Sequence, residues 1–126
     1  MKTLLFIIGT RPEAIKLAPV ILEANNSKVF RTEVILSSQH PEMCVQTLNT
    51  FGITPTIVLN GFENGQSLVS FSSKVLGEIA QLDLPWKESI VIVQGDTTTA
   101  TIGAYAGFLM ESKVVHVEAG LRTYER

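Results

Sequence analysis

The sequence predicts an α/β fold, a Rossmann-like parallel sheet flanked by helices, with strand order 3-2-1-4-5. Two observations carry this reading. Short apolar runs alternate with longer segments of helical period, the pattern of successive βαβ units. Composition supplies the core those units need: 45% of the 126 residues are apolar and 17% are charged, a balance that excludes disorder. Right-handed crossovers make 3-2-1-4-5 the simplest order. Strands one and four then lie side by side where the winding reverses, the place at which open α/β sheets bind ligands.

Each element has its own warrant. Thr3 to Ile8 is an apolar run that ends at Gly9, and a helix starts at once on Pro12 with Glu13 in its first turn. Ile15, Leu17, Ala18, Val20, Ile21 and Leu22 give that helix its apolar stripe; Pro19 inside it predicts a kink or one lost hydrogen bond. Thr32 to Leu36 is the second strand, and a polar turn from Ser37 to Pro41 leads to a helix over Glu42 to Phe51, stopped by Gly52. Thr56 to Leu59 is a short third strand. Asn60 to Gly65 holds two Asn-Gly turn signals and predicts an exposed, mobile loop.

Gln66 to Leu82 follows as a helix, with Leu68, Phe71, Val75, Leu76 and Ile79 at helical spacing. Asp83 to Lys87 connects it to Ser89–Val93, the plainest buried strand. Thr97 to Met110 is a helix rich in Ala and Gly, able to lie close on the sheet. Lys113 to Val117 is the fifth strand, ending at Glu118-Ala119-Gly120. The sequence then stops with no helix to close the last unit, so the expectation is a fragment.

Bulk properties narrow the function. The net charge is −2, with 10 basic against 12 acidic residues, which disfavours nucleic acid as the main partner. A single cysteine, Cys44, excludes an intrachain disulfide and reads as a core residue in a cytoplasmic, reducing setting. The apolar run after Lys2 is too short for a secretion signal, and no stretch approaches the ~18 apolar residues of a membrane span. The first turn, Gly-Thr-Arg-Pro-Glu, is neither a Gly-x-Gly-x-x-Gly turn nor a Gly-x-x-x-x-Gly-Lys phosphate loop, so NAD and ATP are not favoured as cofactors. Nor is there a Gly-x-Ser-x-Gly nucleophile elbow. His40 and His116 are too few for a metal site and read as structural.

The candidate chemistry sits at three strand ends predicted to share one edge. The first supplies Arg11 and Lys16, the fourth Asp96 and the fifth Glu118. A helix amino terminus flanked by two cations suits a phosphate or carboxylate, and two carboxylates beside them form an acid/base set. The cations would favour ionised carboxylates and burial would oppose them. Plainer readings stand beside this one. Asp96 is well placed to cap the next helix, Arg11 to pair with Glu13 or cover the sheet edge, and Lys16 to be a solvated helix residue. Glu118, at the end of a buried strand, demands a partner.

Four blocks carry a resemblance: Gly9 to Pro19, Gln39-His40 with Glu42-Met43, Gln94 to Thr99, and His116 to Thr123. In order and over nearly the whole sequence, they resemble the non-hydrolysing UDP-N-acetylglucosamine 2-epimerases of bacteria. The resemblance implies a GT-B architecture, two Rossmann-like domains with the active site between them, of which residues 1–126 would be the amino-terminal one. It implies interconversion of UDP-N-acetylglucosamine and UDP-N-acetylmannosamine for polysaccharide biosynthesis, without a redox cofactor, through elimination and re-addition of UDP. It further implies a UDP-amino-sugar partner and a homodimer when full-length. By matching motif, Arg11, Lys16, Asp96 and Glu118 correspond to substrate-contacting positions, with Asp96 and Glu118 the acid/base candidates. The match weakens at Pro41 and Gly65, where relatives carry basic residues near a second, regulatory UDP-sugar site. A further family carboxylate falls beyond Arg126, so the 126-residue piece alone is expected to be inactive. Two other classes stay open: a GT-B glycosyltransferase or a 2-epimerase of another UDP-amino sugar, and a non-catalytic anion-binding α/β domain.

Overall fold

The computed structural model describes residues 1–37, 41–60 and 64–118. Its elements are β1 (Lys2–Ile8), α1 (Arg11–Ser27), β2 (Phe30–Leu36), α2 (Pro41–Thr50), β3 (Ile57–Val58), α3 (Leu68–Ala80), a 3₁₀ turn (Trp86–Glu88), β4 (Ser89–Gln94), α4 (Thr98–Leu109) and β5 (Lys113–Val117). All strand pairings are parallel, and the order is β3-β2-β1-β4-β5, as expected. β1 lies in the middle, in register with β2 from Lys2↔Phe30 to Ile8↔Leu36 and with β4 from Thr3↔Ser89 to Phe6↔Ile92.

The alternation of side chains along β1 divides the interior in two. Leu4, Phe6 and Ile8 face α1 and α2, where they meet Leu17, Ile21 and Leu48. Leu5 and Ile7 face α3 and α4, where they meet Phe71, Val75, Ile79 and Ala100. Burial on both faces explains why β1 reads as a continuous apolar run rather than an alternating one. Cys44 is buried in the first of these cores, as anticipated.

Several expected details change. Pro19 sits within α1 without ending it; having no N–H, it leaves the Ile15 carbonyl without its helical donor. α1 begins at Arg11, one residue before Pro12. The third strand shrinks to two residues, because β3 pairs with β2 only at Ile35↔Ile57 and Leu36↔Val58. Asp96 does not cap α4. Thr97 does, its hydroxyl accepting from the Ala100 N–H at 3.1 Å. The expected loop at 60–65 lies partly outside the described residues, as do His40 and the last block beyond Glu118. Among the described residues, no helix is long and apolar enough to cross a membrane.

α4 packs closely because of its small residues. A β-carbon built on Gly103 would lie 2.9 Å from Val93 Cγ1, and one on Gly107 would lie 2.9 Å from Val114 Cγ2. The tightest approach is at the end of β1, where a β-carbon on Gly9 would stand 2.2 Å from Thr99 Oγ1 and 2.5 Å from Thr99 Cβ. These are the root atoms of a buried side chain, so neither can swing aside. Gly9→Ala should therefore destabilise the protein by about 1–3 kcal/mol through overpacking. Urea denaturation would show this as a lower midpoint with an unchanged slope; an unaltered midpoint would contradict it.

Candidate active site

The carboxyl ends of β1, β4 and β5 open into a cleft of about 660 Å³ walled by Thr10, Glu13, Lys16, Gln94, Asp96 and Glu118, among others. That volume falls within the range of small-ligand sites. Three of the four expected site residues meet here. Lys16 projects from the second turn of α1 and its ammonium lies 3.1 Å from Glu118 Oε2. The same oxygen accepts from Gln94 Nε2 at 3.0 Å. Glu118 thus has two partners, one charged and one neutral, and the charged bond is the stronger kind. Its φ of 62° lies in the left-handed region, a conformation that costs a non-glycine residue about 1–3 kcal/mol unless its surroundings enforce it.

Asp96 follows Gly95, whose φ of 76° turns the chain sharply at the end of β4. This turn is pinned from β5: Gly95 N–H donates to the Val117 carbonyl at 3.3 Å, and His116 Nε2 bonds the Gly95 carbonyl. His116 is thus satisfied structurally, in line with its sequence reading, yet it also walls the cleft. Asp96 and Glu118 are both exposed, and β5 is itself exposed along most of its length, so Glu118 does not end a buried strand as expected.

Arg11 takes a different place. It lines a neighbouring hollow of about 360 Å³ with Gly9, Ser37, Met43, Phe71 and Thr99, divided from the first by Thr10 and Thr97, which touch both. The four expected residues therefore share one rim of the molecule but two hollows. The reason is helical geometry: five positions apart on α1, Arg11 and Lys16 project about 140° apart around the helix axis.

The buried carboxylate belongs to Glu13, which is 1% exposed. It does not face Arg11. Glu13 Oε1 accepts from Gly9 N–H at 3.3 Å and Oε2 from Thr10 Oγ1 at 2.6 Å. Burial pushes its carboxyl above the ordinary value of 4.5, against the lowering effect of those hydrogen bonds. Sequence reasoning assigned Glu13 to the helix dipole or to a pair with Arg11. The signal for more was the spacing Thr10-x-x-Glu13, in which a third-position Glu reaches back to the N-cap N–H. Its helical phase with the buried Leu17 pointed the same way.

With this geometry in place, comparison with known proteins is decisive. A family model described as UDP-N-acetylglucosamine 2-epimerase matches residues 22–126. The chain belongs to that family. It corresponds to the amino-terminal part of these epimerases, spanning about a third of the length of the curated relatives it matches. The Campylobacter jejuni UDP-N-acetylglucosamine 2-epimerase is 42% identical over 124 residues, 98% of this chain and 32% of that protein. The Bacillus subtilis enzyme is 42% identical over 117 residues, 93% of this chain and 31% of its own. Among solved structures, the Neisseria meningitidis epimerase bound to UDP-GlcNAc superposes with a TM-score of 0.86 at 40% identity, over 98% of this chain and 34% of that one.

The raised pKa of Glu13 has a measurable consequence. A carboxyl whose folded pKa is raised contributes stability that is complete below its ordinary value of 4.5 and is lost as pH rises through the folded value. Relative to Glu13→Gln, the wild type should thus lose stability between acid and neutral pH, read from urea midpoints at a series of pH values. A difference that grows in favour of the wild type over that range would contradict the assignment.

Proposed function

We propose that the full-length protein is a non-hydrolysing UDP-N-acetylglucosamine 2-epimerase, interconverting UDP-GlcNAc and UDP-ManNAc. Residues 1–126 form the amino-terminal Rossmann-like domain of its GT-B fold. The observation that carries this reading is the convergence of Lys16, Asp96 and Glu118 at the switch point of a sheet whose family is established.

The chemistry follows from the substrate. C2 of the sugar bears a hydrogen of negligible acidity, so it leaves as a proton only as the C1–O bond to UDP breaks. A carboxylate takes that proton, C1=C2 forms, and UDP departs with the bonding pair. Re-addition reverses these events, except that a proton reaches C2 from the opposite face while a UDP oxygen rebuilds the bond to C1. No electron is gained or lost overall, so the reaction needs no redox cofactor. One group on each face accounts for inversion, and Asp96 and Glu118 are the acid/base pair in this reading. Lys16 orients Glu118, while Arg11 and Lys16 bind the substrate and offset the charge that grows on the departing diphosphate. The groups for uridine belong to the second domain.

Support for a cytoplasmic enzyme comes from the lone buried Cys44. Support for a homodimer comes from α4, where Tyr105 and Phe108 stack in the open with ring centroids 6.5 Å apart; an exposed apolar surface of this kind marks contact sites.

In deuterated water, the full-length enzyme should convert UDP-GlcNAc with label incorporated at C2. Asp96→Asn and Glu118→Gln should each lower turnover by about 10²–10⁴-fold, the range of general acid/base contributions, with substrate affinity largely kept. A well-folded full-length protein that incorporates no label would refute the epimerase reading. Transfer of the sugar to an acceptor without exchange at C2 would instead mark a glycosyltransferase.

A further inference from the structure

We propose that Gln94 is a positioning residue for Glu118: its buried amide donates to one carboxylate oxygen, Oε2, and so leaves the other, Oε1, as the atom that exchanges a proton with the sugar. This rests on the reading above, in which Glu118 is an acid/base group.

The bond runs between neighbouring strand ends. Gln94 is the last residue of β4 and stands opposite Val117 of β5; Glu118 is the next residue along. The Gln94 amide donates to Glu118 Oε2 at 3.0 Å. An ionised carboxylate only accepts hydrogen bonds, so the amide must present its nitrogen. Stability does not call for this bond. The Glu118 side chain is about half exposed, and water would satisfy its oxygen nearly as well. Lys16 reaches the same oxygen at 3.1 Å, but it too is about half exposed, and a long side chain in an exposed ion pair is weakly held. Gln94 is 4% exposed, and close packing confines a side chain of that kind. Of the two donors it is therefore the rigid one, and it completes the orientation that Lys16 begins. Both donors sit on Oε2, so neither competes with a proton for Oε1. The same oxygen can take up a proton in one direction of the reaction and return it in the other.

The test uses the full-length enzyme. Gln94→Met keeps length and volume and removes the donor. Its kcat should fall by about tenfold to a hundredfold, the penalty of a catalytic group misplaced by about 1 Å, while KM changes less than threefold and the thermal midpoint does not fall. Gln94→Glu keeps the shape but sets one carboxylate against another, so its kcat should fall further. The double variant of Gln94→Met with Glu118→Gln should be no slower than Glu118→Gln alone, because Gln94 acts through that carboxylate. Wild-type turnover in Gln94→Met, a loss carried by KM instead of kcat, a thermal midpoint that drops in step with kcat, or losses that multiply in the double variant would each overturn the proposal. Should Gln94→Met fail to fold, Gln94→Glu supplies both the turnover and the double-variant comparison. Glu118→Gln by itself separates this role from the reading beneath it. If that variant turned over at the wild-type rate, the acid/base reading would fall and this role with it. A slow Glu118→Gln beside a Gln94→Met of wild-type rate would overturn the positioning role alone.

Discussion

The absence of a side chain at Gly9 lets the amino terminus of α4 rest against the end of β1, and the site is built around that contact. Thr99 comes so close that no β-carbon fits between them. Its hydroxyl also bonds Ser37 Oγ at 2.9 Å, which ties in the end of β2. With Thr99 seated there, Thr10 and Thr97 stand together between the two hollows, and Glu13 bonds Thr10. Three strand ends are therefore clamped together before any ligand arrives. Under the proposed function, preorganisation of this kind would spare the reaction the binding energy of assembling the rim.

Three carboxylates then divide the work by environment. Glu13 is sealed beneath the turns, satisfied by neutral donors, and serves the backbone. Glu118 stands half in solvent with an ammonium and an amide on one oxygen, its other oxygen unengaged by those two groups. Asp96 is carried on a glycine turn at the rim. Exposure of the last two is consistent with a cleft of which this domain forms one wall: the residues that would meet substrate are those still open to water. Their environment in the working enzyme would then depend on the second wall, since removing water strengthens every charge interaction between them.

The features readable without coordinates were those governed by local rules or by chirality. Strand order followed from right-handed crossovers, and β1, β4 and β5 from apolar runs bounded by Gly9, Gly95 and the turn before Lys113. Helix stops such as Gly52, with φ of 75°, followed from backbone sterics. What could be misread were features with two adequate local solutions. Asp96 and Thr97 are both good caps by chemistry; the turn at Gly95 decides between them by placing Thr97 at the extended position. Glu13 could face Arg11, the helix dipole or its own N-cap turn; the Thr10-x-x-Glu13 spacing favours the last, and the fold adopts it.

Amino-acid order alone thus settled the fold class, the strand order, the rim on which the site lies and the family blocks that mark it, because periodicity, handedness and motif spacing are properties of the chain. The pairing of Lys16 with Glu118 and the burial of Glu13 beneath the end of β1 required the folded arrangement. Each of these depends on how elements remote in the chain approach one another. That distance is set by packing, and above all by the missing side chain at position 9.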